Sequence, residues 1–337
     1  MEPAARKKQI LSAIVESYIS TGEPVGSKTL INEAGLKVSS ATVRNDMAEL
    51  TERGYIVQPH TSAGRIPTQL GYRYYVDNAL EVKPVTQRGR EYIIDTLSQN
   101  ADSPETLLQN AANLLSQLTD CVAFSTTPSG DESRIRKISF VPTGAHAAMA
   151  VVIVSNGIIK TKLFRCEFLI TPEILGVFDN ALNDVFAGVR LSSINRPFIQ
   201  TAAAGFGELS LLMPSSLMAV KDASELAREV SVYHGGLGRL FGEAQADRIL
   251  EFLQNQHDLA ATLERLPLTT AVTIGKENSR VELAYSSVVS SRYRIDGNPS
   301  GVIAAIGSLR MDYARMLSVT DCIGECVSEL LNEMIEY

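Results

Sequence analysis

The sequence predicts an α+β chain of more than one domain, with a winged helix-turn-helix first and an α+β domain interrupted by an inserted unit after it. Three observations predict this. Apolar residues recur at helical spacing through the first 53 positions, and a short strand-like run with a polar turn follows. Further on the pattern turns to short strands, then to a mainly helical stretch over 172–265, then to strands again. At 337 residues the chain also exceeds one ordinary core.

The elements of the first unit follow in order. Ile10, Leu11, Ile14, Val15, Tyr18 and Ile19 form the stripe of a core-facing helix that Gly22 ends. Ser27 caps a short second helix carrying Leu30, Ile31 and Ala34, closed by Gly35. Ser39 or Ser40 caps a third over Ala41–Arg53, stopped by Gly54. Tyr55–Gln58 is strand-like, and Pro59–Arg65 is a polar turn. Pro67 opens a fourth helix with Tyr72, Tyr75, Val76 and Leu80 on its inner face. Glu81–Val85 reads as a linker.

Beyond the linker, Leu107, Leu108, Ala111, Leu114, Leu115 and Leu118 mark an amphipathic helix. Strands are expected at 121–125, 135–141, 147–154 and 158–165, with Asn156-Gly157 as a hairpin turn. Strand-like pieces fall near 230–242, and further strands at 270–274, 282–293 and 301–306. A helix from Asp312 runs to the end.

Composition narrows the function classes. The chain is 45% apolar and 20% charged, as globular proteins are. No apolar run reaches a membrane span, and Glu16 interrupts the N-terminal stripe, so a signal peptide is not expected and the chain is placed in the cytoplasm. Cys121, Cys166, Cys322 and Cys326 are too few and scattered for a disulfide framework, and no metal or cofactor site is expected. There is no HExxH, GxSxG, P-loop or GxGxxG, and His60, His146, His234 and His257 are dispersed, so an enzyme is not expected.

The net charge of −7 argues against nucleic acid until it is divided. Residues 1–80 hold nine Lys/Arg against eight Asp/Glu, a net of +1, and the rest of the chain holds −8. Local arrangement must therefore do the binding. With Val43, Met47 and Leu50 turned to the core, the third helix offers Ala41, Asn45, Ala48 and Glu52 on the other side, with Thr42 and Arg44 flanking. Arg matches guanine O6/N7 and Asn matches adenine N6/N7 in a major groove. Ser39, Ser40 and the helix N-terminus suit a phosphate, and Lys28 a flanking one. His60, Thr61, Ser62 and Arg65 form a wing suited to backbone or minor groove. A small helical module whose Arg44 and Asn45 merely face solvent has the same pattern.

Long runs bear a resemblance that reduces the ambiguity. They are Arg6–Leu11, Tyr18–Lys28, Val38–Met47, Pro59–Thr68 and Gly71–Asp77. Together they resemble HrcA, the family of heat-inducible bacterial transcription repressors. The likeness continues more loosely over the whole length. It departs at Ser308, where the family usually has Pro, and at the end of Tyr233–Phe241. The resemblance implies a winged-helix DNA-binding domain over 1–82. It implies a GAF-like domain in two halves, 90–168 and 268–337, and an inserted dimerisation domain over 169–267. It further implies a homodimer on double-stranded DNA, bound to the inverted-repeat operator CIRCE upstream of chaperone operons. A GroEL-type chaperonin would maintain the active form. The competing expectation is a regulator whose GAF-like domain senses a small molecule, although Ile138, Phe140, Val152 and Ile153 read as ordinary packing.

Overall fold

The computed structural model describes all residues except 1–2, 34–37, 61–63, 129, 131–132, 241–245 and 337. The chain begins with α1 (Pro3–Thr21), α2 (Ser27–Glu33) and α3 (Ser40–Glu52). A two-residue pair, β1 (Ile56–Val57) and β2 (Ile66–Pro67), and α4 (Gln69–Asn78) complete a head. Ile10, Leu11, Ile14, Leu30, Val43, Met47 and Leu50 share one core, as their spacing predicts. Gly22 and Gly54 stop their helices with φ of +74° and +77°, a conformation costly for other residues.

Two expectations shift by a residue or two. Leu30 N donates to Gly26 O, so Gly26 holds the cap position of α2, and the Ser27 hydroxyl turns to Ser40 instead. Pro67 does not open α4: it lies in β2 opposite Ile56, and the Thr68 side chain caps the helix by accepting from Gly71 N at 3.1 Å. The fixed φ of proline suits an extended strand as well as a first helical turn, and the adjacent Thr cap decides. Ala34 and Gly35 lie outside the described residues.

The body holds two sheets. Helices α5 (Gln87–Ser98) and α6 (Pro104–Thr119) lead to β3 (Val122–Thr126). The chain then forms β4 (Ile135–Gly144), β5 (Ala147–Val154) and β6 (Ile159–Arg165), followed by α7 (Pro172–Phe186), α8 (Arg196–Gly205) and α9 (Pro214–Arg228). It returns through β7 (Val232–Gly235), α10 (Ala246–Gln254), α11 (Gln256–Glu264), β8 (Ala271–Ile274), β9 (Ser286–Ile295), β10 (Asn298–Ser308) and α12 (Tyr313–Glu336).

The larger sheet is antiparallel, in the order β7-β3-β10-β9-β8. Counted along the chain, its strands lie 2-1-5-4-3, the GAF-like layer of the fold. One face, with Ala123, Val289, Tyr293 and Ile303, packs under α6 and α12. The other, with Phe124, Val288, Val302 and Ala304, packs under α10 and α11. The smaller sheet is the meander β4-β5-β6, whose inner face meets α7 and α9 through Ile138, Val152, Phe178, Leu182 and Val220.

This hydrogen bonding redraws the expected division. The strands over 135–165 do not join the GAF-like sheet, and β7 does. The insert leaves after β3 and returns into β7, with Thr127 N donating to Ser231 O at 2.9 Å across its stem. It therefore spans roughly 128–230 and not 169–267. Alternation in a strand reveals which side is apolar but not which strand is its partner, so the sequence pattern joined three strands to the wrong sheet. Nothing in the apolar pattern announces helix α5. It is polar apart from a narrow stripe, of which Ile93 and Leu97 are buried.

Candidate nucleic-acid interface

Helix α3 is built to show one face. Val43, Asp46, Met47 and Leu50 are buried, while Ala41, Arg44, Asn45 and Ala48 are exposed. Ser39 caps it: its Oγ accepts from Thr42 N at 3.2 Å and lies 2.9 Å from Thr42 Oγ1. Ser40 Oγ lies 3.3 Å from Ser27 Oγ, and Arg44 Nε donates to the same Ser27 hydroxyl at 3.4 Å. Ser27, Ser40 and Arg44 thus meet where α2 and α3 join. Lys28 is exposed in the first turn of α2. Lys28, Ser40, Thr42, Arg44 and Asn45 therefore lie on the two helices that make the helix-turn-helix, and Ser39 caps the second of them.

A feature missed by sequence reasoning fixes α3 in place. Asp46 is only 5% exposed, and Arg6 of α1 reaches it with two bonds, from Nε at 2.6 Å and Nη2 at 3.1 Å. The fork matches the carboxylate, and the pairing raises the Arg6 pKa further. One turn on, Glu49 pairs with Lys7 and Arg53, and the Lys7 contact lowers the Glu49 pKa most. Two ion pairs from α1 thereby set the rotation of α3 about its axis. The signal was present as basic residues in the first helix and acids at i, i+3 in the third, but no local rule pairs residues 40 apart.

The wing rests on the same framework. Val25 and Arg65 exchange backbone bonds of 2.9 Å, adding a rung beside the β1–β2 pair. Gly64 allows this approach, because a Cβ there would lie 2.5 Å from the Val25 carbonyl. The Arg65 guanidinium does not extend along the wing. Its Nε donates to Thr51 Oγ1 at 3.2 Å, which puts it about 10 Å along α3 from Arg44 at 1.5 Å per residue. His60 is exposed, and Thr61 and Ser62 lie outside the described residues.

The head is fastened to the body. Arg73 of α4 pairs with Glu277, its Nε donating at 2.8 Å, and its Nη2 donates to Val272 O at 2.7 Å. Gln69 Nε2 donates to Ala284 O at 2.9 Å, and its Oε1 accepts from Lys276 N at 3.1 Å. Arg310 Nη1 donates to Ile19 O at 3.0 Å, and the Tyr72 and Tyr313 rings pack 5.8 Å apart. Burial pushes the Glu277 pKa up, but the Arg73 guanidinium and the Ile274 N–H outweigh it and hold the carboxyl below its ordinary range. Among the described residues no group of three or more His, Cys, Asp and Glu is placed to hold a metal. No helix among them is long and apolar enough to cross a membrane.

A capped helix with an exposed Arg–Asn edge, a second helix bracing it and a wing at its far end define a helix-turn-helix DNA-binding protein. Residues 31–69 match the DeoR-like helix-turn-helix domain, and residues 105–317 match the HrcA protein C terminal domain. The chain is 33% identical to the heat-inducible transcription repressor HrcA of Symbiobacterium thermophilum, over 96% of this chain and 98% of that one. It is 32% identical to the repressor of the same name from Desulfitobacterium hafniense, over 98% of both. A hypothetical protein of known crystal structure shares the fold, with a TM-score of 0.65, 24% identity and 98% of each chain covered. The chain belongs to the HrcA family of heat-inducible transcription repressors.

Proposed function

We propose that the chain acts as a homodimer in the cytoplasm that occupies the inverted-repeat operator CIRCE and blocks transcription of chaperone operons at normal temperature. The exposed Arg44–Asn45 edge of α3, held in place by the Arg6–Asp46 pair, carries this reading. Lys28, Ser39 and Ser40 would take flanking phosphates, Thr42 would stand with Arg44 and Asn45 on the base-reading side of α3, and His60 and Arg65, with Thr61 and Ser62, would serve the wing. A two-fold dimer requires a pseudo-palindrome with half-sites about 34–36 Å apart or a multiple of it.

The insert supports the dimer. Of seventeen exposed large apolar residues among those described, ten fall between Val141 and Leu226, within fewer than a third of the residues. Heat release follows from cooperative melting. Unfolding about 90 residues carries about 60 kcal/mol, so a rise of about 8 °C shifts the equilibrium about tenfold. A GroEL-type chaperonin that refolds the melted form would oppose this until heat supplies it with other clients.

Gel shifts on an inverted repeat, a single half-site and a scrambled duplex test the reading. Tight binding to the inverted repeat alone is expected; equal binding to the scrambled duplex would sink it. Refolded repressor titrated with and without chaperonin tests the second half, and equal active fractions would remove the chaperonin.

A cavity favours the competing reading. About 220 Å³ lies between α11 and the GAF-like sheet, lined by Leu259, Leu263, Leu283 and Val288, with Glu277, the partner of Arg73, at its wall. Operator release by a small apolar compound at constant temperature would favour ligand sensing.

A further inference from the structure

A second cavity, of about 260 Å³, lies where the end of β10, the start of β3 and the first turn of α12 meet. Three arginines line it from three separate segments. Arg239 comes from the turn Leu237–Leu240, Arg310 from the loop after β10 and Arg315 from α12. Two carboxylates face them. Asp312 is committed to the helix, its Oδ1 accepting from Arg315 N at 3.1 Å, and the exposed Asp120 pairs with Arg239. Three guanidinium groups against two carboxylates leave the lining one positive charge in excess.

Each guanidinium has a protein anchor. Arg239 meets the Asp120 carboxylate, Arg310 Nη1 meets Ile19 O at 3.0 Å, and Arg315 Nη2 meets Leu118 O at 2.8 Å. A guanidinium carries five N–H donors, and these contacts engage one apiece. The anchors position the forks and leave donors over. A planar carboxylate is matched by a single fork, whereas a phosphoryl group offers oxygens in several directions to arginines arriving from different segments. Ile306 and Met316 supply buried apolar wall beside them.

We propose that this cavity binds a small phosphorylated metabolite, its phosphomonoester held by Arg239, Arg310 and Arg315 and its short carbon body set against Ile306 and Met316. The volume falls below the roughly 300–1,000 Å³ of drug-sized sites, which excludes a dinucleotide. Arg310 is shared with the head through Ile19, so ligand and head draw on one side chain. The inference does not rest on the operator reading.

The test is calorimetric titration of the full chain, without DNA, at constant ionic strength. Inorganic phosphate and glycerol 3-phosphate are the probes, and sulfate is the control. One site per chain is expected, with glycerol 3-phosphate the tighter of the two phosphates. Arg239→Gln and Arg315→Gln should each weaken it by about tenfold or more, the loss expected when a charge-assisted contact goes. Arg315→Lys keeps the charge and should weaken it too, since an ammonium cannot reproduce the fork. Melting curves by circular dichroism verify that each variant is folded. No saturable binding of either phosphate overturns the proposal. So does equal binding of sulfate in wild type and variants, which would mean an adventitious ion only. If the variants instead lose affinity for operator DNA while wild type ignores phosphate, the arginines serve the DNA backbone and the proposal falls.

Discussion

The two sheets of the body share an alternating pattern and differ in what covers them. The GAF-like sheet lies between α6 with α12 on one face and α10 with α11 on the other, so both sets of its side chains are buried. Among the described residues, the insert sheet has α7 and α9 on one face only. On its other face the register sets Val141, Met149 and Leu163 in one row and Ile153 beside Ile159 two rows on, with Ser139, Val151 and Thr161 between. Leu163 is 65% exposed and Ile159 52%. An apolar sheet face that its own chain leaves open marks a surface for a partner. The exposed edge of α3 is the polar counterpart. The molecule therefore divides into surfaces it covers itself and surfaces it leaves open, and substitutions should act differently on the two.

The largest effect is expected on a covered face. Phe178 is 1% exposed and packs edge-on to Phe140 and Phe168 at 6.2 and 6.4 Å. Phe178→Ala should cost about 3–5 kcal/mol in denaturant unfolding. On the open face of the same sheet, Leu163→Glu should change protomer stability by about 0.5 kcal/mol or less. It should instead give monomers in sedimentation and cost the inverted repeat about 100-fold in affinity, the scale of a lost second site, with half-site binding unchanged. If Leu163→Glu unfolded the chain as Phe178→Ala does, the open face would belong to a core and the comparison would collapse.

Next in size is the polar open surface. Arg44→Ala should leave the melting curve in place and weaken specific binding about 5- to 150-fold, the worth of one bidentate base contact. The loss should vanish for one base-pair change in the operator, and a uniform loss across sequences would make Arg44 a phosphate contact. Arg65 sharpens the division because it stands on both sides. Its backbone closes the wing on Val25 and its side chain holds Thr51. If the guanidinium also meets a phosphate, Arg65→Ala should reduce the slope of log affinity against log salt by about 0.9. An unchanged slope with a lowered melting point would place Arg65 among the self-covered residues.

What was legible in the sequence follows the range of the interactions. The caps and stops of the head are local: Ser39 accepts from Thr42, and Gly22 and Gly54 need positive φ, so the end of α1 and both ends of α3 could be placed to within a residue or two. The exposed side of α3 followed from Val43, Met47 and Leu50 by helical period alone. The Arg6–Asp46 pair, the turn of Arg65 toward Thr51 and the fastening of Arg73 to Glu277 join residues 40, 14 and 204 apart. No periodicity carries such pairings. The insert boundary failed for the same reason, since β4 reads as a strand whether it pairs with β3 or with β5.

The smallest effect is expected where head and body cover each other. The Arg73–Glu277 pair is partly solvated, and pairs of that kind contribute about 1 kcal/mol or less. Its pH dependence is nevertheless distinctive. Glu277 titrates lower in the folded chain than in the unfolded one. Its contribution is therefore complete above the unfolded value of about 4.3 and is lost as pH falls through the lower folded value. Docking should be flat from neutral pH to about pH 5 and loosen below about pH 4. Hydrogen-exchange protection of α4, corrected for intrinsic rates, reads this directly. Wild type should lose protection in acid, while Glu277→Gln should start lower and show less of that step. Identical acid profiles for the two would mean that Gln69, Arg310 and the tyrosine contact hold the head without the ion pair, and that the covered surface is apolar and neutral in its energetics.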